Sequence, residues 1–320
     1  MRARVDTHLP ASQPGDTKRY DPNRALAIRL VRPRVSVTER LANIWRYRDL
    51  LRGLIVKEIR VKYKDSFLGF LWSLVNPAMF ILIYYIVFQK VLGSGIPLFA
   101  IFLATGLLCW NLFQTGIMGA TGAVVDNAGL VKKVAFPREI LALASVGSAS
   151  VFFVFQAVVL AVFLVVFQVV PSVSYLWVAL IGLVALLVFA SGLGILVSGI
   201  TVYLRDVRHL MEILLQAWFW ATPVVYAFEL VANKFADHHI PVWVYLLNPV
   251  TPVVLAFQRT FYAKTDPYSV ASHTVVQILP TAGPMWYFWG VLGVLVAGVV
   301  LFVVALWAFG RLEGNFAEEL

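Results

Sequence analysis

TERLANIWRYRDLLRGLIVKEIRVKYKD, residues 38–65, runs directly into SFLGFLWSLVNPAMFILIYYIVFQ, residues 66–89. The first piece is studded with charge, yet Leu41, Ile44, Trp45, Leu51, Ile55, Ile59 and Tyr63 recur at helical spacing. Arg46, Asp49, Lys57, Arg60 and Lys64 fall on the opposite side. The second piece is 24 residues without a charge, long enough to cross a hydrocarbon layer ~30 Å thick. A bilayer core would reject the first piece, and a soluble core has no use for the second. The junction therefore predicts a basic amphipathic helix at a membrane surface, with Thr38 as its N-cap, feeding a first membrane span. Arg48 and Arg52 interrupt the apolar side, and Gly53 offers a bend.

Working outward, composition agrees. The chain has 320 residues, of which 60% are hydrophobic and 13% charged, against roughly 25% charged in soluble domains. The net charge of +9 is concentrated, since 16 of 26 Lys and Arg precede Ser66. That distribution is a topology signal and does not call for nucleic acid. Cys109 is the single cysteine, so no intrachain disulfide is possible. The first 65 residues hold no apolar signal-peptide core, so the first span is expected to be its own insertion signal.

Residues 1–37 read as a mobile tail, 38–65 as the interface helix, 66–310 as the transmembrane domain and 311–320 as a second tail. Six spans are expected, at about 68–88, 98–121, 141–169, 176–203, 210–228 and 285–309. Residues 140–204 are free of charge for 65 positions, which holds two spans of ~20 residues and a turn. Asn76-Pro77 is expected to kink span 1, and span 5 contains Pro223. Gly93–Pro97 is read as a turn. Six spans place both termini on one side, and that side holds 22 of the 26 Lys and Arg. Both termini are therefore expected in the cytoplasm. Residues 240–258 are uncharged but contain three prolines. Short re-entrant helices suit them better than a seventh span, because irregular backbone in a membrane must be buried by protein.

Chemistry is sparse. The dipeptide Gly-Lys is missing from the sequence, which excludes a phosphate cradle of the GxxxxGK[ST] type. No metal site is expected: His238-His239 lacks an accompanying carboxylate or cysteine cluster. No span carries a mid-membrane acid or lysine of the kind ion-coupled transporters use. A transporter built from this chain would draw energy from a partner. Asp126 or Asn127 can cap a short helix bearing Leu130, Val131, Lys132 and Lys133, a possible knob for a partner's groove. Arg205 and Asp206 form the short turn after span 4. Trp110, Trp218 and Trp220 fall mid-span. With Tyr84, Tyr85, Phe219 and Tyr226 they either pack the protein or line a path for sugars. Ala190/Gly194/Ser198, Gly116/Ala120 and Gly293/Ala297 are spaced for close helix contact.

Taken in order, Arg46–Leu51, Lys57–Lys64, Leu68-Gly69, Leu71-Trp72 and Asn76-Pro77 resemble the entry region of ABC-2 type polysaccharide exporter permeases. These Wzm-type subunits serve O-antigen, teichoic acid and galactan export. Leu130–Val134 with Phe136–Glu139 resembles the family's coupling loop. Tyr203 with Arg205–Val207 resembles its turn between spans 4 and 5, and Thr222-Pro223, Tyr226 and Asn248-Pro249 resemble its late signatures. The resemblance implies a permease without an ATP site, paired with a second copy of itself and with two ATPase subunits that bind ATP and Mg. The implied location is the bacterial plasma membrane, and the implied cargo a polyprenyl-diphosphate-linked polysaccharide. The aromatics of spans 1, 2 and 5 would line its channel. Arg48, Arg52 and Arg60 would meet the cargo's diphosphate, or else anionic lipid. A drug or lipid exporter of the wider ABC-2 group and a non-transport scaffold of glycan assembly are the competing readings.

Overall fold

The computed structural model describes residues 36–64, 72–93, 95–264, 268–269, 274–275 and 277–320. Residues 1–35 of the expected tail and the junction at 65–71 lie outside the described residues. In chain order the helices are α1 (Val37–Arg46), α2 (Arg48–Tyr63) and α3 (Trp72–Tyr84), which continues as a π-helical stretch, Tyr85–Val91. Next come α4 (Phe99–Asp126), α5 (Ala128–Lys133), α6 (Glu139–Val166), α7 (Val173–Tyr203) and α8 (Val207–Trp220). Three short helices follow: α9 (Phe228–Asp237), α10 (Trp243–Leu246) and α11 (Val250–Phe257), the last extended by a π turn, Gln258–Tyr262. Two-residue strands β1 (Tyr268–Ser269) and β2 (Thr274–Val275) pair antiparallel. The chain closes with α12 (Pro284–Leu312), a 3₁₀ turn (Glu313–Asn315) and α13 (Phe316–Glu319). Helices α4, α6, α7 and α12 are long and apolar enough to cross a membrane. The protein is a helical, multi-pass membrane protein.

The stretch read as one interface helix is two. Its N-cap is Ser36, whose Oγ accepts from the Glu39 N–H at 3.2 Å. Ser36 and Glu39 have the capping-box spacing that Thr38 lacks. The helix then breaks at Tyr47, with φ −94° and ψ 21°. That break resets the phase of the apolar stripe. On α2 the packed positions are Leu51, Leu54, Ile55 and Glu58, while Arg48 and Arg52 point away into exposed positions. Gly53 sits inside α2 without ending it.

α4 is the hub, packed against α6, α7, α8 and α11. Lipid supplies no hydrophobic force between helices, so small residues that admit close approach decide what packs. A Cβ at Gly194 of α7 would lie 2.8 Å from Ala120 Cβ of α4, and one at Gly116 would lie 3.6 Å from Val146 of α6. The closest seam joins α7 to α12. A Cβ on Gly192 would lie 2.8 Å from the Phe302 backbone N, and one on Gly298 3.0 Å from the Phe189 backbone N. The seam uses Gly298 rather than Gly293 and Ala297. Those two are exposed, with nothing within 4 Å of a Cβ at Gly293.

The turn before α4 carries Gly93 and Gly95 at φ +62° and +72°, a region glycine enters without strain. Residues 229–262 hold short helices and no through-going one. All eight residues of α11 are buried, against α4, α7 and α12. α8 ends at Trp220, short of the Phe228 expected for span 5, because Pro223 follows. Proline removes one N–H and clashes with the preceding turn.

Candidate functional site

The break after α8 organises the first candidate region. A helix end leaves carbonyls without donors, and inside a membrane protein water cannot supply them. Here side chains do. Thr222 Oγ1 donates to Trp218 O (2.9 Å), and Tyr226 OH donates to Trp220 O (2.8 Å). Asn248 Nδ2 donates to Ala221 O (3.1 Å), and Gln258 Nε2 to Pro223 O (3.0 Å). Asn248 Oδ1 accepts from the Trp218 indole N–H (2.7 Å) and the Val250 N–H (3.1 Å). Tyr226 OH also meets Tyr245 OH at 2.9 Å. Gly106 of α4 leaves the room, since a Cβ there would lie 3.2 Å from both Gln258 Nε2 and Val224 Cα. Segment 221–227, a run of turns and bends, is thus fixed from α10, the turn between α10 and α11, and the π turn that follows α11.

Five of the seven expected channel aromatics meet beside this break. Phe219 is the centre, with Tyr84 at 6.2 Å, Trp110 at 5.4 Å and Trp220 at 5.4 Å between ring centroids. Trp218 packs edge-on against Phe113 at 5.1 Å. Their exposure differs sharply. Trp110 is 2% exposed, with its indole N–H given to Gln114 Oε1 at 2.9 Å, whereas Trp220 is 47% exposed. Tyr226 belongs to the break itself. Tyr85 lies apart, on the wall of a 590 Å³ cavity between α3, α4 and α6 that also touches Gln89 and Phe167. The fold adds Gln114 and Gln258 to the site and gives Asn248, quoted above only within the Asn248-Pro249 signature, its partners. Gln114 lies one helical turn from Trp110, a spacing visible in the sequence, whereas nothing local points to Gln258. Just beyond the break, on α9, burial lifts the Glu229 carboxyl above its ordinary value.

The opposite, basic end carries the second region. Arg40 of α1 donates to Glu139 at the start of α6 and to Glu313 after α12. Glu139 is 1% exposed, so this is a buried charge cluster. A Cβ on Gly310 would lie 2.7 Å from the Arg40 guanidinium. Arg138 adds a bond to Glu313 O at 2.7 Å, and Tyr203 OH donates to Leu312 O at 2.5 Å. Together they tie down the segment after α12.

Of the expected coupling residues, Val131 is buried beside Leu54 and Val124, while Lys132 and Lys133 are exposed and Leu130 half-buried. Asn127 starts α5, but its side chain does not cap that helix. It donates instead to Ala123 O (2.8 Å) and accepts from Lys57 Nζ (2.8 Å) of α2. Asp126 pairs at 2.7 Å with Arg208, which opens α8 just after the Arg205-Asp206 turn. Arg205 and Asp206 lie exposed in that turn. Glu58 of α2 accepts from Ser145 (3.0 Å) and Ser148 (2.8 Å) of α6. Arg60 is exposed, Arg52 pairs loosely with Asp49 at 3.7 Å, and Arg48 lies 5.6 Å from the Trp45 ring. The three arginines converge on no common point formed by the described residues.

Residues 49–262 match a family model described as ABC-2 type transporter. The match runs from α2 to the π turn after α11, so it takes in the break, the aromatics and the Asp126–Arg208 pair but leaves out Arg40 and Glu313. The O-antigen export system permease protein RfbA of Klebsiella pneumoniae is 30% identical over 272 residues, covering 85% of this chain and 95% of that protein. A protein of the same description from Myxococcus xanthus is 30% identical over 276 residues, covering 86% and 95%. The polysialic acid transport protein KpsM of Escherichia coli is 23% identical over 212 residues, covering 64% and 78%.

Proposed function

Because the chain belongs to the ABC-2 type transporter family, we propose that it is the permease subunit of an ATP-driven polysaccharide exporter in the bacterial plasma membrane. The observation that carries this reading is the 30% identity, across 85% of the chain, to a permease named for O-antigen export. In the proposed arrangement α4, α6, α7 and α12 make four crossings. The α3 helix with its π extension makes another. α8 has 14 residues and reaches only ~21 Å, so the sixth crossing is completed by residues 221–227. The side-chain bonds to its carbonyls are what such a broken crossing requires.

Both termini would lie in the cytoplasm, where the basic residues are concentrated. Two copies of the chain would join two ATPase subunits, which hold ATP and Mg and contact α5 with its exposed lysines. The cargo would be a glycan on a polyprenyl diphosphate. Trp220, the exposed aromatic of the seam, and the half-buried Tyr84 would offer it apolar faces, while Trp110 serves packing. The exposed Arg48, Arg52 and Arg60 would meet diphosphate or anionic headgroups at the membrane surface.

Depletion of the protein in its host tests the reading. The expected result is accumulation of lipid-linked glycan on the cytoplasmic face with synthesis intact. Unchanged glycan pools would refute it, and accumulation of a small lipid or drug would favour a different cargo within the family.

A further inference from the structure

The Asp126–Arg208 pair is placed against the electrostatics of its own helices. Asp126 is the last residue of α4 and Arg208 lies in the first turn of α8. A helix carries partial negative charge at its C-terminus and positive charge at its N-terminus. Each side chain is therefore repelled by its own helix end and attracted by the other helix's end. Pairing them at 2.7 Å draws the end of α4 onto the start of α8.

The pair is seated on a glycine. A Cβ at Gly122 would lie 2.2 Å from an Arg208 guanidinium N and 2.6 Å from Asp126 Oδ2. It is also half-exposed, at 44% and 52% of the side chains, and an ion pair in that setting adds little to folding stability. Asn127, the next residue, is held by Lys57 of α2 and starts α5. One point on the surface thus gathers α2, α4, α5 and α8. At its other end α8 carries Trp218, Phe219 and Trp220. Between these ends α8 buries one face, at Met211 and Leu215, in the core, and leaves Leu210, Ile213 and Leu214 exposed on the other.

We infer that the Asp126–Arg208 pair is a positioning link that passes motion of α5 along α8 to the aromatic seam. The inference rests on the exporter reading, in which α5 receives the ATPase. The pair touches no cargo. A push on α5 shifts Asp126, the ion pair moves the start of α8, and the intact helix moves its aromatic end.

The test is export by the complete complex with its ATPase partner in proteoliposomes, loaded with polyprenyl-diphosphate glycan from permease-depleted cells. Glycan translocated per ATP hydrolysed is the readout, which a structural role alone would not move. Asp126→Asn and Arg208→Gln should each lower that ratio about fivefold or more, with complex yield and ATP hydrolysis little changed. The exchange Asp126→Arg with Arg208→Asp should recover at least about half of the lost ratio, because attraction survives the swap. Gly122→Ala, which displaces the pair without altering charge, should resemble the single variants. A parallel fall in yield, ATP hydrolysis and export would overturn the link, as would an exchange no better than either single change. If the unaltered complex hydrolyses ATP but moves no glycan, the exporter reading itself fails.

Discussion

Arg40→Met is the most demanding test of the basic end. Arg40 is 8% exposed and is the shared partner of Glu139, 1% exposed, and Glu313. Glu139 Oε2 has no partner among the described residues, so Glu139 depends on the guanidinium through its other oxygen. Removing the arginine leaves two carboxylates facing each other, one of them out of water. Breaking a buried pair in this way costs about 3–5 kcal/mol. At about 2.1 cal/mol/K of unfolding entropy per residue, each kcal/mol moves the thermal midpoint of a 320-residue chain by ~1.5 °C, so a drop of about 4 °C or more is expected. Glu139→Gln alone should cost less, because Arg40 keeps Glu313. The combination of Arg40→Met with Glu139→Gln should be about 2 kcal/mol better than Arg40→Met, since the stranded charge is gone. Intrinsic tryptophan fluorescence of the detergent-solubilised protein, heated at neutral pH, reads all three. A loss below ~1 kcal/mol, or a double variant no better than Arg40→Met, would refute the claim that this cluster holds α1, α6 and the end of α12 together.

Three further outcomes are expected. Trp110→Ala should sharply reduce the yield of folded protein, a loss of about 3–5 kcal/mol for a buried aromatic, whereas Trp220→Ala should leave yield intact and impair export; the reverse pattern would exchange their roles. Gly192→Ala and Gly298→Ala should each weaken the protein by about 1–3 kcal/mol of overpacking, less ~1 kcal/mol gained in helix propensity. Together they should cost less than their sum, because the α7–α12 seam opens only once, and melting of the two singles and the double checks it. For Glu229, the raised folded-state pKa means its contribution is fully present below the unfolded value of about 4.3 and is lost as pH rises through the folded value. Glu229→Gln should therefore match the unaltered protein in melts near pH 4 and exceed it near pH 7.5.

How much of this could be read in the sequence depends on the range of the signal. The uncharged run 140–204 and the helices α6 and α7 within it agree because hydropathy is a local property. The failure of α8 to reach Phe228 was half visible in Pro223 but not in its remedy. Asn248 and Gln258 reach the broken segment from 27 and 35 residues away. Ser36, not the expected Thr38, caps α1, because Glu39 stands three residues after Ser36 whereas Leu41 stands three after Thr38. Arg48 and Arg52 fall on the apolar side only of a helix that runs unbroken through Tyr47, and the break there turns them outward. Gly293 and Ala297 have the spacing of a helix contact but face away from α7, since spacing fixes a face without choosing its neighbour.

The sequence by itself determined that this chain lives in a membrane, which end is basic and which family it belongs to. Those follow from runs of charge and apolarity and from motifs a few residues long. Only the tertiary structure decided which charges are partners. Arg40 lies 99 and 273 residues from its two acids, and Arg208 lies 82 from Asp126. Such pairs form because helices distant in the chain end at the same surface, and glycines at 122 and 310 leave space for the guanidinium groups. The same holds for the aromatics. The tryptophans are conspicuous in the sequence, but only burial in the fold separates Trp110, which is packed inside, from Trp220, which is half-exposed.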